Sequence, residues 1–374
     1  MIDWNQYIHR GIQSLKPYQP GKSVDDLFRE RGVAHAIKLA SNENPLGCSP
    51  NVLSALSNIT AEQIATYPNA IHHPLKQKIA EQVSLSPNQI LLANGSDSIF
   101  SLVFTLFCLH QQKEVLTHQQ CFPSYPIQAK GLGIPTKQIS LNDNWQWAVS
   151  SFIEACTSNT GVLLFANPNN PTGVIVSQLS IKELLQSVPE NVIVIVDEAY
   201  YEYAFVDASE SALPLLQHFP NLIITRTFSK AYGLAALRLG YAMANESIIE
   251  LLWRIQQPFA VNNLALHCGE IAWDDQAFVQ QSIELNAKGL AHMAQAISEM
   301  GYPLIPSHAN FITFDAGVKA SALNDYLLNK GVIIRPLAGA GMPHHLRVSI
   351  GNPQQNARFL DALNQFSDNK LSCS

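Results

Sequence analysis

"NVIVIVDEAY", residues 191–200, decides how this chain is read. An unbroken run of Val and Ile, short and β-branched throughout, is the pattern of a strand buried on both faces. It stops at Asp197, and a carboxylate at the end of such a strand is costly without a cationic or hydrogen-bonding partner. Working outward, "QILLANG" (89–95), "VLLFANP" (162–168) and "NLIITRTFS" (221–229) repeat the design, each an apolar run ending in polar residues. Between them lie helical stretches such as "SDSIFSLVFTLFCL" (96–109), expected to open on a Ser or Asp cap. Strands alternating with helices predict an α/β fold whose mainly parallel sheet is covered by helices on both faces. In such sheets ligands bind beyond the carboxyl ends of the strands, where the polar clusters fall here.

Near residue 275 the texture changes. "FVQQSIELNAKGLAHMAQAISEMG" (278–301) reads as one long helix, followed by "ANFITFDA", a further helix, "GVIIRPL" and "LRVSIG". The expected division is residues 1–40 as an N-terminal arm contributing to a small domain, 41–275 as the large domain, and 276–374 as a smaller α+β domain. A chain of 374 residues is long enough for two cores.

The formal net charge of −6 gives no reason to approach nucleic acid or an anionic membrane. An anionic ligand must then be held by a few placed cations and backbone amides. The six cysteines form no C-x-x-C pair and show no framework spacing, which argues for a reducing, cytoplasmic setting and against a metal site. "MIDWNQYIHR" has no apolar core of a secretory signal, and "IFSLVFTLFCL" is too short to span a bilayer. The expectation is a soluble cytoplasmic protein. "GLGIPT" and "GAG" lack the third glycine of a dinucleotide fingerprint, and there is no G-x-x-x-x-G-K-[ST] loop.

Four clusters remain at the predicted strand ends. "NGSDS" (94–98) offers amides at a helix start, either a simple cap or an anion site. "NPNNPTG" (167–173) makes a rigid turn that presents Asn170, although alone it reads equally as structure. "DEAYYEY" sets Tyr200 three residues after Asp197. Lys230 follows Ser229 among Phe, Ala, Tyr and Leu, an environment that lowers an amine's pKa and makes it nucleophilic, and Arg238 lies beyond. Pyridoxal phosphate needs an amine to bond its aldehyde, a carboxylate for its ring nitrogen, donors to its phenolic oxygen and an anion hole for its phosphate. These clusters provide one of each.

With those residues in place, the sequence resembles the fold-type I pyridoxal-phosphate aminotransferases, and within them the histidinol-phosphate branch. "PYQPGK", "KLASNENPLG", "YPNA", "NGSD", "NPNNPTG", "DEAYYEY", "RTFSKAYGLAALRLGY", "ANFI", "GVIIRP" and "LRVSIG" occur in the family's order. The resemblance implies that Lys230 bonds the cofactor and Asp197 pairs with its ring nitrogen. It further implies that Asn170 and Tyr200 donate to the phenolic oxygen and that Tyr125 stacks on the ring. Gly95, Ser96, Asp97, Thr227, Ser229 and Arg238 fall where the family holds the phosphate. Tyr67 corresponds to a tyrosine reaching the neighbouring subunit's phosphate, so the expected assembly is a homodimer with shared sites. Arg335 and Arg347 correspond to the arginines that bind the substrate's acidic groups, with Tyr18 and Asn42 lining the entrance. Ser98 and the segment Pro126-Ile127-Gln128 depart from the family pattern, where Glu and a second aromatic are common.

The implied reaction is transfer of the amino group of L-histidinol phosphate to 2-oxoglutarate, giving imidazole acetol phosphate and glutamate in histidine biosynthesis. An aromatic amino-acid aminotransferase and a threonine-phosphate decarboxylase share the core motifs. A pyridoxal-binding regulator would need an appended DNA-binding domain, and no segment reads as one.

Overall fold

The computed structural model describes residues 2–13, 15, 21–204 and 210–371, with no side chains described for 368–371. Seven strands form the central sheet, in the order Ile90–Ala93, Gly240–Ala244, Leu222–Thr227, Ile193–Asp197, Thr160–Ala166, Glu114–His118, Thr136–Ile139. Gly240–Ala244 runs against both of its neighbours, and the other pairings are parallel. The α/β class with a mainly parallel sheet is therefore the observed one.

The apolar run at 192–196 behaves as its composition requires. Val194 and Val196 point into one hydrophobic layer, while Ile193 and Ile195 point into the layer on the opposite face. Alternation across a strand sends neighbours to opposite faces, so a run apolar at every position needs cover on both. Each such side chain contributes about 1.5–3 kcal/mol when fully buried. The edge strand Thr136–Ile139 carries the opposite signature: Ile139 is buried, and Gln138 is exposed.

A second, four-stranded antiparallel sheet lies in the order Arg335–Pro336, His345–Ser349, Phe311–Asp315, Leu304–Ile305. Helices Gln276–Glu299, Ala320–Asn329 and Pro353–Leu371 back it, around a core that includes Met293, Ile312, Phe314, Leu323 and Phe359. "GVIIRPL" supplies two short strands. Val332–Ile333 pairs in parallel with Ile37–Lys38, and Arg335–Pro336 joins His345–Ser349. The early segment is tied in further by Leu39, whose N–H donates to Ile333 and whose carbonyl accepts from the Ser349 N–H, at 2.7 and 2.9 Å. This stitching delivers residues 40–42 to the ends of the central strands. Among the described residues no helix is long and apolar enough to cross a membrane.

Candidate active site

Asp197 ends its strand in register with Ala166 on one side and Thr225 on the other. Both carboxylate oxygens are occupied by neutral donors. The Tyr125 hydroxyl donates to Oδ2 at 2.6 Å, and the Thr225 hydroxyl donates to Oδ1 at 2.9 Å. Burial, with a smaller push from the charge of Asp97, raises the carboxyl against the pull of the two hydroxyls, to a net value of about 6. A carboxyl at that value is about nine-tenths ionised at pH 7. Tyr125 is fully buried, its ring edge-on to Phe100 and Phe122 at 5.0 and 5.5 Å. The resemblance has this ring stacking on a cofactor, whereas the structure gives its hydroxyl the position of donor to Asp197.

Lys230 stands three residues beyond the strand Leu222–Thr227, in a turn closed by Gly233. Gly233 has φ 70°, and a Cβ there would lie 1.8 Å from the Gly47 carbonyl oxygen, so no other residue fits that turn. Phe228, Ala231 and Tyr232 are buried around it, and Phe228 and Tyr232 pack on Trp273. The part-buried Lys230 ammonium donates to the Ser41 carbonyl at 3.2 Å and lies 5.7 Å from the Tyr200 ring centroid. Burial, reinforced by the positive charges of Arg347 and Arg238, pushes its pKa down to about 8. The amine expected from sequence to be desolvated is desolvated.

The helix Ser96–Phe107 does not open on a Ser or Asp cap. Its N-cap is Gly95, at φ 74° and ψ 164°, with no side-chain cap hydrogen bond. Ser96 and Asp97 fall inside the first turn instead. Asp97 is used sideways, accepting from the Ser124 hydroxyl at 2.5 Å and facing Arg238 at 3.6 Å. The helix start is thus left without a side-chain cap, which suits an anion. Arg238, itself in the left-handed region at φ 55°, donates to the Ser229 hydroxyl at 3.1 Å. A Cβ on Gly95 would fall 2.7 Å from Arg238 Nη2, so the guanidinium lies directly over that glycine. Thr227 turns inward: its hydroxyl donates to the Leu239 carbonyl and accepts from the Ser229 N–H, which shapes the turn that carries Ser229.

At the facing edge of the small sheet, Arg335 and Arg347 are direct cross-strand partners. Like charges opposite one another destabilise a sheet, so this pairing suits an anionic ligand. Arg347 donates to the Asn170 side-chain oxygen and, at 2.8 Å, to the Ala40 carbonyl. A guanidinium has only donors, so the Asn170 oxygen is turned toward Arg347 and its NH2 faces away, a donor for another acceptor. Tyr200 accepts from the Asn42 amide at 2.9 Å and packs edge-on to Phe311. Asn42, expected at a substrate entrance, is 1% exposed; the Ser349 hydroxyl holds its oxygen and its backbone N–H. It orients Tyr200 from beneath.

These residues bring together the parts a phosphorylated pyridoxal ring requires. They are a partly desolvated amine, a buried carboxylate, an amide NH2, an uncapped helix start under Arg238 and Ser229, and two opposed arginines. Tyr67 stands apart. It is 76% exposed and stacked on the exposed Phe259 at 4.3 Å, beside a surface cavity of about 480 Å³ lined also by His72, His73, Asn263 and His267. Tyr18 lies outside the described residues. Sequence reading missed Thr225 and Ser349. The signal for Thr225 was present as a lone hydroxyl in "NLIIT", at the depth where the neighbouring strand carries Asp197.

Comparison with known proteins matches residues 34–363 to the family model of aminotransferase class I and II. The chain is 46% identical, over 98% of its length and 99% of the relative's, to histidinol-phosphate aminotransferase 2 of Legionella pneumophila (strain Lens). It is 40% identical to histidinol-phosphate aminotransferase 1 of Idiomarina loihiensis, over 97% of this chain and 99% of that one. Among solved structures, histidinol-phosphate aminotransferase from Sinorhizobium meliloti in complex with pyridoxal-5'-phosphate is similar with a TM-score of 0.86 at 26% identity, covering 96% of this chain and 97% of that one.

Proposed function

The chain belongs to the class I and II aminotransferases, and from that premise we infer that it is the pyridoxal-phosphate-dependent enzyme moving the amino group of L-histidinol phosphate to 2-oxoglutarate, in histidine biosynthesis. The products are imidazole acetol phosphate and L-glutamate. The observation that carries the reading is the part-buried Lys230 amine, donating to the Ser41 carbonyl just beyond the end of its strand, with its pKa pushed down to about 8 by burial and by the charges of Arg347 and Arg238.

Pyridoxal phosphate, when bound, supplies an aldehyde that captures amines and a protonated ring that draws electrons from the substrate's α-carbon. Asp197 keeps the proton on the ring nitrogen, which its ionised state near neutral pH supports. Asn170 and Tyr200 would donate to the phenolic oxygen, while Tyr125 braces Asp197 with its hydroxyl. Gly95, Ser96, Asp97, Ser229 and Arg238 form the phosphate cup, with Thr227 shaping its turn. Lys230 would hold the cofactor through its amine and would move a proton at the substrate's α-carbon, a general acid–base contribution of typically 10²–10⁴-fold. Arg335 and Arg347 bind the phosphate of one substrate and the carboxylates of the other, since a guanidinium fork matches both anions.

The exposed Tyr67–Phe259 stack, with Ile64 and Ile71 exposed nearby in sequence, favours a homodimer in which Tyr67 reaches the neighbouring subunit's site. The free cysteines among the described residues favour the reducing cytoplasm as its compartment.

The test is Lys230→Ala, expected to fold, to lose the cofactor's visible absorption and to lose nearly all turnover. Normal turnover in that variant overturns the assignment. Substrate choice is tested by offering histidinol phosphate, phenylalanine and threonine phosphate side by side. Faster transfer from phenylalanine, or loss of carbon dioxide from threonine phosphate, overturns the histidinol-phosphate reading.

A further inference from the structure

We propose that Thr225 is a positioning residue for the reaction, its hydroxyl fixing the Asp197 carboxylate in the orientation that the cofactor's ring nitrogen requires. The inference rests on the aminotransferase reading and extends it to a residue outside the recognised motifs. Thr225 is fully buried on a strand whose preceding residues are Leu222, Ile223 and Ile224. A hydroxyl there loses its water, and valine of nearly the same shape would suit the site better unless the hydroxyl has a task. The hydrogen bond of that hydroxyl goes to Asp197 Oδ1, at 2.9 Å.

The geometry of the sheet makes this contact hard to lose. Thr225 and Asp197 are register partners on adjacent parallel strands, and the Thr225 carbonyl accepts from the Glu198 N–H at 2.8 Å. The backbone therefore sets the spacing, while the β-branched side chain has few rotamers to lose on ordering. Tyr125 provides the other donor from the helix Ser124–Gly131, outside the sheet. Together they leave the carboxylate a single orientation.

The second consequence concerns charge. The groups that bear on Asp197 are Tyr125, Thr225 and the backbone N–H of Ala199, which favour its ionised form, and Asp97 on the helix Ser96–Phe107, which opposes it. The neighbouring Arg226 is committed to Glu198, and Ala166 on the other adjacent strand brings no charge. With burial pressing the carboxyl upward, the hydroxyl of Thr225 is one of two side-chain donors that keep it ionised near neutral pH.

The experiment compares wild type, T225V and T225S. Each is checked for folding by circular dichroism, and its apoprotein is titrated with pyridoxal phosphate by fluorescence before kcat and KM are measured. A hydrogen bond to a charged group predicts that T225V raises the cofactor Kd about tenfold and lowers kcat at least about tenfold, with KM changed far less. T225S, which restores the hydroxyl, should return both to within about twofold. A purely structural hydroxyl would move the melting temperature and leave the cofactor Kd alone, and that result overturns the proposal. Impairment of T225S as deep as that of T225V overturns it too, since a retained hydroxyl would then fail to restore function. Should T225V not fold, T225A takes its place against T225S with the same criteria. Failure of the wild-type apoprotein to take up pyridoxal phosphate would instead sink the aminotransferase reading itself.

Discussion

The depressed pKa of Lys230 makes a quantitative prediction about how its amine reacts with pH. Burial and the charges of Arg347 and Arg238 bring it to about 8, from the 10.5 of an unperturbed lysine. Only the neutral amine attacks an aldehyde. At pH 8 about half of Lys230 is neutral, against about 0.3% of an ordinary lysine, an advantage of roughly 150-fold in reactive form. The assay mixes apoprotein with pyridoxal phosphate from pH 6 to 10 and follows the growth of visible absorption. N-acetyl-lysine amide serves as the reference, so that the ionisation of the aldehyde itself cancels in the ratio of rates. Below pH 8 both amines gain neutral form in parallel and the ratio stays level. Above about 8 Lys230 is saturated while the reference keeps gaining, so the ratio falls tenfold per pH unit. A ratio level up to pH 10 would mean an ordinary lysine pKa, and would refute the claim that this pocket prepares the amine.

Gly95→Ala forces φ 74° and ψ 164° on a residue with a Cβ, and puts that Cβ 2.7 Å from Arg238 Nη2. The backbone strain costs of order 1–3 kcal/mol. Apoprotein titration should give a cofactor Kd raised more than tenfold, and a thermal melt should shift down; unchanged binding would move the phosphate cup elsewhere. Arg226→Met leaves Glu198 buried without its 2.8 Å partner and removes the cation 3.3 Å above the Tyr201 ring. Breaking one side of such a pair costs about 3–5 kcal/mol, to be read from urea denaturation; a loss under about 1 kcal/mol would mean the pair is not structural.

The middle of the central sheet was legible because the runs 162–166 and 192–196 are apolar at every position, whereas the outer strands Glu114–His118 and Thr136–Ile139 carry polar residues and no such signal. Gly240–Ala244 was harder to see. "GYAMA" carries small residues because Gly240 is pressed against the helix start, where a Cβ would lie 2.7 Å from the Ser96 backbone nitrogen. Lys230, Asp197 and Arg238 were legible as charges placed beside apolar runs. What sequence could not reveal was the use made of each polar group. Asp97 looks like a cap and instead braces Ser124 and faces Arg238, since the cap position had to be glycine under that arginine. Asn42 looks like an entrance residue and instead holds Tyr200, because the pairing of residues 37–39 with the C-terminal strands carries it under the sheet edge. Such assignments depend on contacts between segments as far apart as Asn42 and Ser349, about which local pattern says nothing.

The electrostatics of the cleft explain why an acidic chain can hold anions. A net charge of −6 is spread over the molecule, yet the cations Arg238 and Arg347 both act on Lys230, and Arg335 lies directly opposite Arg347. At partly buried sites local placement outweighs the distant net charge, because screening by solvent is weak there and strong over a Debye length outside. The same cluster serves two ends. It holds Lys230 toward its neutral, nucleophilic form, and it sets guanidinium forks where a phosphate or carboxylate can bind. An anion bound at Arg347 would offset one of the positive charges that reinforce burial in depressing the Lys230 pKa, and so would raise that pKa.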